Sequence, residues 1–142
     1  NTFVMRKFHL VLMFCFLTTT LASGQKVSMQ FNKMQMAQTD QNYQPIERTS
    51  KVIQQNGTIQ IFKDEIRITQ GSTANYQKFA ITKYQKLSDR YEFAATNSDG
   101  NWALSLWEQN GQKILMALWI DKQIISVFNI SSGFTLDIPF LK

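Results

Sequence analysis

Cysteine, histidine and proline are almost missing from this chain of 142 residues. Cys15 and His9 are the single examples of their types, both lie within the first two dozen residues, and there are only two prolines, Pro45 and Pro139. If that first segment is removed, no thiol and no imidazole remain. Thiolate catalysis and a disulfide scaffold are then excluded. The usual general base for a serine nucleophile and the commonest transition-metal ligand go with the histidine. A long hydrophobic run is lacking too. The apolar stretch Phe8 to Leu17 stops at Thr18-Thr19-Thr20, short of the 18 or so residues a membrane-spanning helix needs.

What is present at the start has the layout of an export signal. Met5-Arg6-Lys7 supplies a positive start, Phe8 to Leu17 the apolar region, and Ala22-Ser23-Gly24 the small residues at the cleavage position. Asn1 to Val4 precede the charged start and read as upstream sequence. Residues 1–24 are therefore expected to be signal peptide with upstream residues, and residues 25–142 a single domain beginning at Gln25. Phe14 ahead of Cys15 does not suit a lipoprotein signal, which needs a small residue there. With Arg6 and Lys7 taken from the 15 basic residues, 13 remain against 10 acidic ones, a net charge of +3. The basic residues are scattered singly, not gathered into a nucleic-acid-binding stripe.

From Lys26 onward β-branched and aromatic residues alternate with polar ones between turn signals, and no stretch repeats apolar residues at helical spacing. The fold class is all-β: an antiparallel meander of about eight to ten short strands, closed or nearly closed into a small barrel. Strands are expected near Lys26 to Met36, Arg48 to Gln55, Thr58 to Phe62, Glu65 to Gln70, Tyr76 to Lys86, Arg90 to Thr96, Asn101 to Gln109, Gln112 to Ile120 and Gln123 to Ile130. Phe134 to Phe140 forms a last extended piece, and the glutamine-rich stretch from Ala37 to Gln44 a loop. Asn56-Gly57 and Asn110-Gly111 are two-residue hairpin turns in which both positions need positive φ. Lys63-Asp64, Ser88-Asp89 and Asp121-Lys122 are weaker two-residue candidates. A four-residue loop at Asn97-Ser98-Asp99-Gly100 sets Phe93 opposite Leu104 and Tyr91 opposite Leu106.

That register separates two faces. Tyr84, Phe93, Leu104 and Ala117, with Trp102 beside Trp119 and with Leu106, Leu115 and Phe128, form the expected core. The other face starts polar at Lys83, Gln85, Arg90 and Glu92, then turns apolar across Trp107, Ile114, Met116, Leu118, Ile120, Ile125 and Val127. An antiparallel sheet with one solvated face should alternate cleanly, so something must cover this second surface. Three explanations are open: the chain's own terminal piece or first strand folds over it, it is a subunit or partner interface, or it lines the lumen of a barrel holding an apolar ligand.

The leading functional expectation is an exported, non-catalytic binding module, its ligand an apolar small molecule or a protein partner, with a homodimer as one form of the latter. Trp107, Ile114, Met116, Leu118, Ile125 and Val127 are the candidate contact residues. No catalytic residue, metal ligand or cofactor is expected. The acidic residues fall mainly at turns, where aspartate bonds its own backbone. Asn97, Asp99 and Asn101 lack the ligand set of a calcium loop, and the glycines sit singly at turns, without a phosphate-binding fingerprint. Nucleic acid is not an expected partner, and no transmembrane segment is expected after cleavage. An outer-membrane barrel is disfavoured by polar pairs such as Gln60 with Arg67 and Gln85 with Glu92. The alternatives are an envelope enzyme using carboxylates or a Ser/Lys pair, and a structural envelope component. The enzyme reading would need two of Asp64, Glu65, Asp89, Glu92, Asp99 and Glu108 within about 10 Å across a cleft.

The run Asn56-Gly57-Thr58-Ile59-Gln60-Ile61-Phe62-Lys63-Asp64-Glu65-Ile66-Arg67-Ile68, a Tyr/Phe strand, the Asp99-Gly100 turn and the ending Val127-Phe128-Asn129-Ile130 resemble the small exported β-domain proteins of Bacteroidetes. The resemblance covers about 80 residues and consists of turns and alternation. It implies a Gram-negative periplasmic or extracellular location and supplies no functional residues.

Overall fold

A computed structural model of the chain describes residues 25–72 and 75–142; the expected signal segment lies outside the described residues. The described residues form nine strands: β1 (Lys26–Gln38), β2 (Lys51–Ile53), β3 (Gly57–Phe62), β4 (Glu65–Gln70), β5 (Gln77–Lys86), β6 (Arg90–Asn97), β7 (Gly100–Gln109), β8 (Gln112–Trp119) and β9 (Ile124–Ser132). All neighbours are antiparallel, and pairing of β1 with β9 closes β1 and β3 to β9 into an eight-stranded barrel, with β2 as an extra strand. The all-β barrel expected from alternation is what forms.

β1 makes closure possible because it is long and kinked. Its first half pairs with β3, and its second half pairs with β9 on one side and β2 on the other. Between Met34↔Ile53 and Phe31↔Gly57, two residues of β1 face three, Gln54 to Asn56, on the opposite chain. The β9 side shifts register at the same place, around Phe31 to Lys33. Irregularities of this kind bend and twist a strand, here letting one strand serve both edges of the sheet.

Three expectations are corrected. The stretch Arg48 to Gln55 is not one strand: a single 3-10 turn, Glu47–Thr49, precedes the three-residue β2. Asn56-Gly57 does not form a hairpin. β2 and β3 both pair with β1, nearly end to end, and Gly57 is buried within β3 without positive φ. Phe134 to Phe140, expected as a last extended piece, joins no strand and folds into a barrel end. β1 also runs two residues further than expected, because Ala37 and Gln38 pair with Ile125 and Ile124. Asn110 and Gly111 do take φ of 51° and 78°, and the pairs Phe93↔Leu104, Tyr91↔Leu106 and Trp102↔Trp119 form as expected.

The interior is the face carrying Tyr91, Leu106, Leu115, Phe128 and Met34, which follow one another around the wall. It is filled by these and by Met29, Phe31, Ile59, Ile61, Ile66 and Phe79, all buried. At one end Trp102 stacks on Trp119 at 5.2 Å and meets the edge of Phe79 at 4.9 Å. At the other end the terminal segment folds in: Ile138 and Leu141 are 1% and 0% exposed and belong to the core. The buried Tyr91 hydroxyl donates to the Leu141 carbonyl at 3.3 Å and accepts from the Ile138 N–H at 3.4 Å. Tyr84 donates to the Lys142 carbonyl at 3.0 Å.

Charged residues face outward on β4 to β6, among them Glu65, Arg67, Lys78, Arg90 and Glu92. Arg67 binds Glu65 through two hydrogen bonds of 3.0 and 3.1 Å and lies between the rings of Phe62 and Tyr76. The Arg67 guanidinium, chiefly through its hydrogen bonds, holds the Glu65 carboxyl below its ordinary value of 4.5. The depressed carboxyl stabilises the fold above 4.5 and loses that contribution as pH falls through its lower folded value. Glu65→Gln is accordingly expected to cost under about 1 kcal/mol at neutral pH, the range of partly exposed pairs, and nothing in strong acid. Urea midpoints across an acid series test this, and parallel profiles for the two proteins would refute it.

Candidate functional site

The second apolar surface of the sequence is the outside of the barrel wall. β1 is built into that wall and the terminal segment sits in one barrel end, so neither lies across it. Nor is this surface the lumen, which is the opposite face and is filled by side chains.

Two rows on this outer surface follow from the register. One runs Lys83, Ala94, Ala103, Leu118, Ile125, Ala37; the next runs Gln85, Glu92, Ser105, Met116, Val127, Gln35. Each begins polar on β5, passes over small residues on β6 or β7, and reaches bulky apolar residues on β8 and β9 before its last member on β1. Short side chains between long ones leave a depression. It measures about 690 Å³, with Ala94, Ala103 and Ser105 as its floor, Met116, Leu118 and Ile125 as one wall, and Lys83, Gln85 and Glu92 as the other.

Tyr43 overhangs this groove from the loop after β1. The Asp40 carboxylate accepts the N–H groups of Asn42 and Gln44 at 2.9 and 3.0 Å, and Thr39 bridges to Pro45, which leaves Tyr43 at φ 60°. The Gln123 amide donates to the Asp40 carbonyl at 3.2 Å, tying the loop to the β8–β9 turn. Tyr43 is 42% exposed.

Of the six contact residues expected from sequence, Met116, Leu118 and Ile125 line the groove. Val127 lies beside Met116 on β9, while Trp107 and Ile114 pair with each other one row nearer the end closed by the terminal segment. The Trp107 indole N–H is covered and has no hydrogen-bond partner among the described residues. None of the six is among the exposed large apolar residues, which are Tyr43, Val52, Ile53 and Tyr76. The surface is thus recessed, not a flat apolar patch. Sequence reasoning had the polar wall on the right face but did not join it to the site, and it passed over the floor. The signal for the floor was there, in Ala94, Ala103 and Ser105 occurring in register. Tyr43 carried none.

Charge in the groove is unevenly matched. Glu92 is paired with Arg90 at 2.8 Å, and Arg90 also holds Asp89 at 3.2 Å. Lys83 has no ion pair or hydrogen bond among the described residues. Asp89 and Glu92 are the carboxylates this brings together, on one exposed guanidinium and not across a cleft. Asp64 lies at the β3–β4 turn and Asp99 at the β6–β7 turn, while Glu65 is engaged by Arg67. Ser105 and Lys83 both border the groove, but β6 separates their strands and no hydrogen bond joins them. A serine nucleophile needs its base within hydrogen-bond reach. No cluster of three or more metal-ligating side chains occurs among the described residues, and no helix there is long and apolar enough to cross a membrane.

Comparison with protein-family models, curated proteins and solved structures finds no match.

Proposed function

We propose that this protein is an exported, non-catalytic binding module that takes a small, largely apolar ligand in the groove on the outside of its barrel. The observation that carries the reading is the recessed form of the apolar surface. A protein partner of ordinary affinity needs a patch of roughly 800 Å² on each side, commonly presented as exposed apolar area. Here the bulky residues are half-buried or buried around a depression whose volume falls in the range of small-molecule sites. The separation of Ser105 from Lys83, the serine and lysine that border the groove, supports binding over turnover there. Export is supported by the signal-like first 24 residues, and a periplasmic or extracellular location by the resemblance of the hairpin series to exported Bacteroidetes domains.

Native mass spectrometry of the processed protein, purified gently from its host envelope, tests this alongside Ala103→Trp, which fills the floor without touching the barrel core. The expected result is a stoichiometric small-molecule adduct on the wild type that is absent from the variant. A dimer or a co-purified protein displaced by the same substitution would overturn it in favour of an interface.

A further inference from the structure

We infer that the ligand of this groove is a single-chain amphiphile with an anionic head, a carboxylate or a phosphate monoester, whose head pairs with Lys83. The inference rests on the binding reading above and adds the chemistry of the ligand.

Its basis is an irregularity in β5. Phe79 and Ile81 point inward, and continued alternation would turn Lys83 inward as well. Instead Ile81 pairs with Ala95 and Lys83 with Ala94, leaving Thr82 as an extra residue. The Thr82 hydroxyl donates to the Ala94 carbonyl at 3.0 Å, fixing the bulge. Beyond it the phase is reversed: Tyr84 packs on the core and Lys83 faces the groove. Bulges re-aim side chains, and this one places a cation over an apolar trough.

The charges around Lys83 then decide the sign of the head. Gln85 is neutral, and Glu92, the acid on the same wall, already carries Arg90 at 2.8 Å. Arg90 is shared with Asp89, and Lys83 is the charged side chain of this lining that makes no ion pair among the described residues. The trough beside it is floored by Ala94, Ala103 and Ser105 and walled by Met116, Leu118 and Ile125, an apolar run suited to an alkyl chain.

Titration calorimetry with dodecanoate, dodecyl phosphate and dodecanol, all below micelle-forming concentration, tests the assignment on the wild type, Lys83→Glu, Lys83→Met and Ala103→Trp. Circular dichroism confirms that each variant is folded. We expect one or both anions to bind the wild type, Lys83→Glu to weaken them by about tenfold with dodecanol unchanged, Lys83→Met to fall between, and Ala103→Trp to abolish all binding. The tighter anion identifies the head. Equal anion binding by the wild type and Lys83→Glu would overturn the anionic head while leaving the groove intact. Binding that survives Ala103→Trp, or no binding of any probe, would overturn the groove itself.

Discussion

A chain ending at Ser132 is expected to lose a large share of its stability. The deleted segment contributes Ile138 and Leu141, both fully buried in the core, and partial cover from Phe134, Leu136 and Phe140. Burying a large aliphatic side chain is worth about 1.5–3 kcal/mol, so the two residues together contribute about 3–6 kcal/mol. A domain of this size typically has about 5–15 kcal/mol in all. Truncation would also open the barrel end beneath Tyr91, whose hydroxyl bonds to this segment at both Leu141 and Ile138. Tyr91→Phe isolates that part, leaving the Ile138 N–H without its partner and costing about 1–2 kcal/mol. Chemical denaturation of the three proteins measures both effects. A truncated chain with the wild-type midpoint would show that the barrel is complete without its tail.

The terminal segment also shows where the sequence stops being legible. Its alternation of Phe134, Leu136, Ile138 and Phe140 is that of a strand, and alternation reports only that one side of an extended chain is apolar. It does not say whether that side meets a neighbouring strand or the open end of a barrel. Long-range closure has the same character. The β5 to β9 hairpins were readable because short turns fix their register locally: once Asn97 to Gly100 and Asn110-Gly111 are placed, Trp102↔Trp119 and Leu106↔Leu115 follow. The pairing of β1 with β9 joins residues about a hundred positions apart, such as Met34 and Phe128, and that of β1 with β3 spans about thirty, as from Met29 to Ile59; no turn encodes either. Half of the candidate site was legible for the same reason, since Met116, Leu118 and Ile125 lie on locally registered strands. Lys83 was legible on this face through the short turn to β6, but the β5 bulge behind it was not read, though its sequence trace is the change of phase from Phe79 and Ile81 to Tyr84. Tyr43 reaches the groove only through contacts between its loop and the β8–β9 turn.

Gly57→Ala is expected to destabilise the fold by about 3 kcal/mol, at the upper end of overpacking costs. The Asn56-Gly57 pair has the composition of a hairpin turn, in which the glycine would be required for positive φ and its loss would strain the backbone alone. In the barrel the requirement is steric. Gly57 lies opposite Phe31 where β1 kinks, and a β-carbon there would overlap the Phe31 ring on one side and the Thr69 carbonyl oxygen on the other. Neither neighbour yields readily. Phe31 is 1% exposed and wedged edge-on against Phe128 at 4.9 Å, and the Thr69 carbonyl belongs to β4, paired with β3. Asn56, exposed and outside any positive-φ turn, separates the two accounts: Asn56→Ala should change stability by no more than about 0.5 kcal/mol. A double-mutant cycle with Phe31→Leu should show favourable coupling, because the smaller side chain vacates part of the space the new methyl needs. The rescue should be incomplete, since the Thr69 oxygen stays in place. A costly Asn56→Ala together with a Gly57→Ala cost that Phe31→Leu does not relieve would reinstate the hairpin and remove the pairing of β3 with β1, on which closure of the barrel depends.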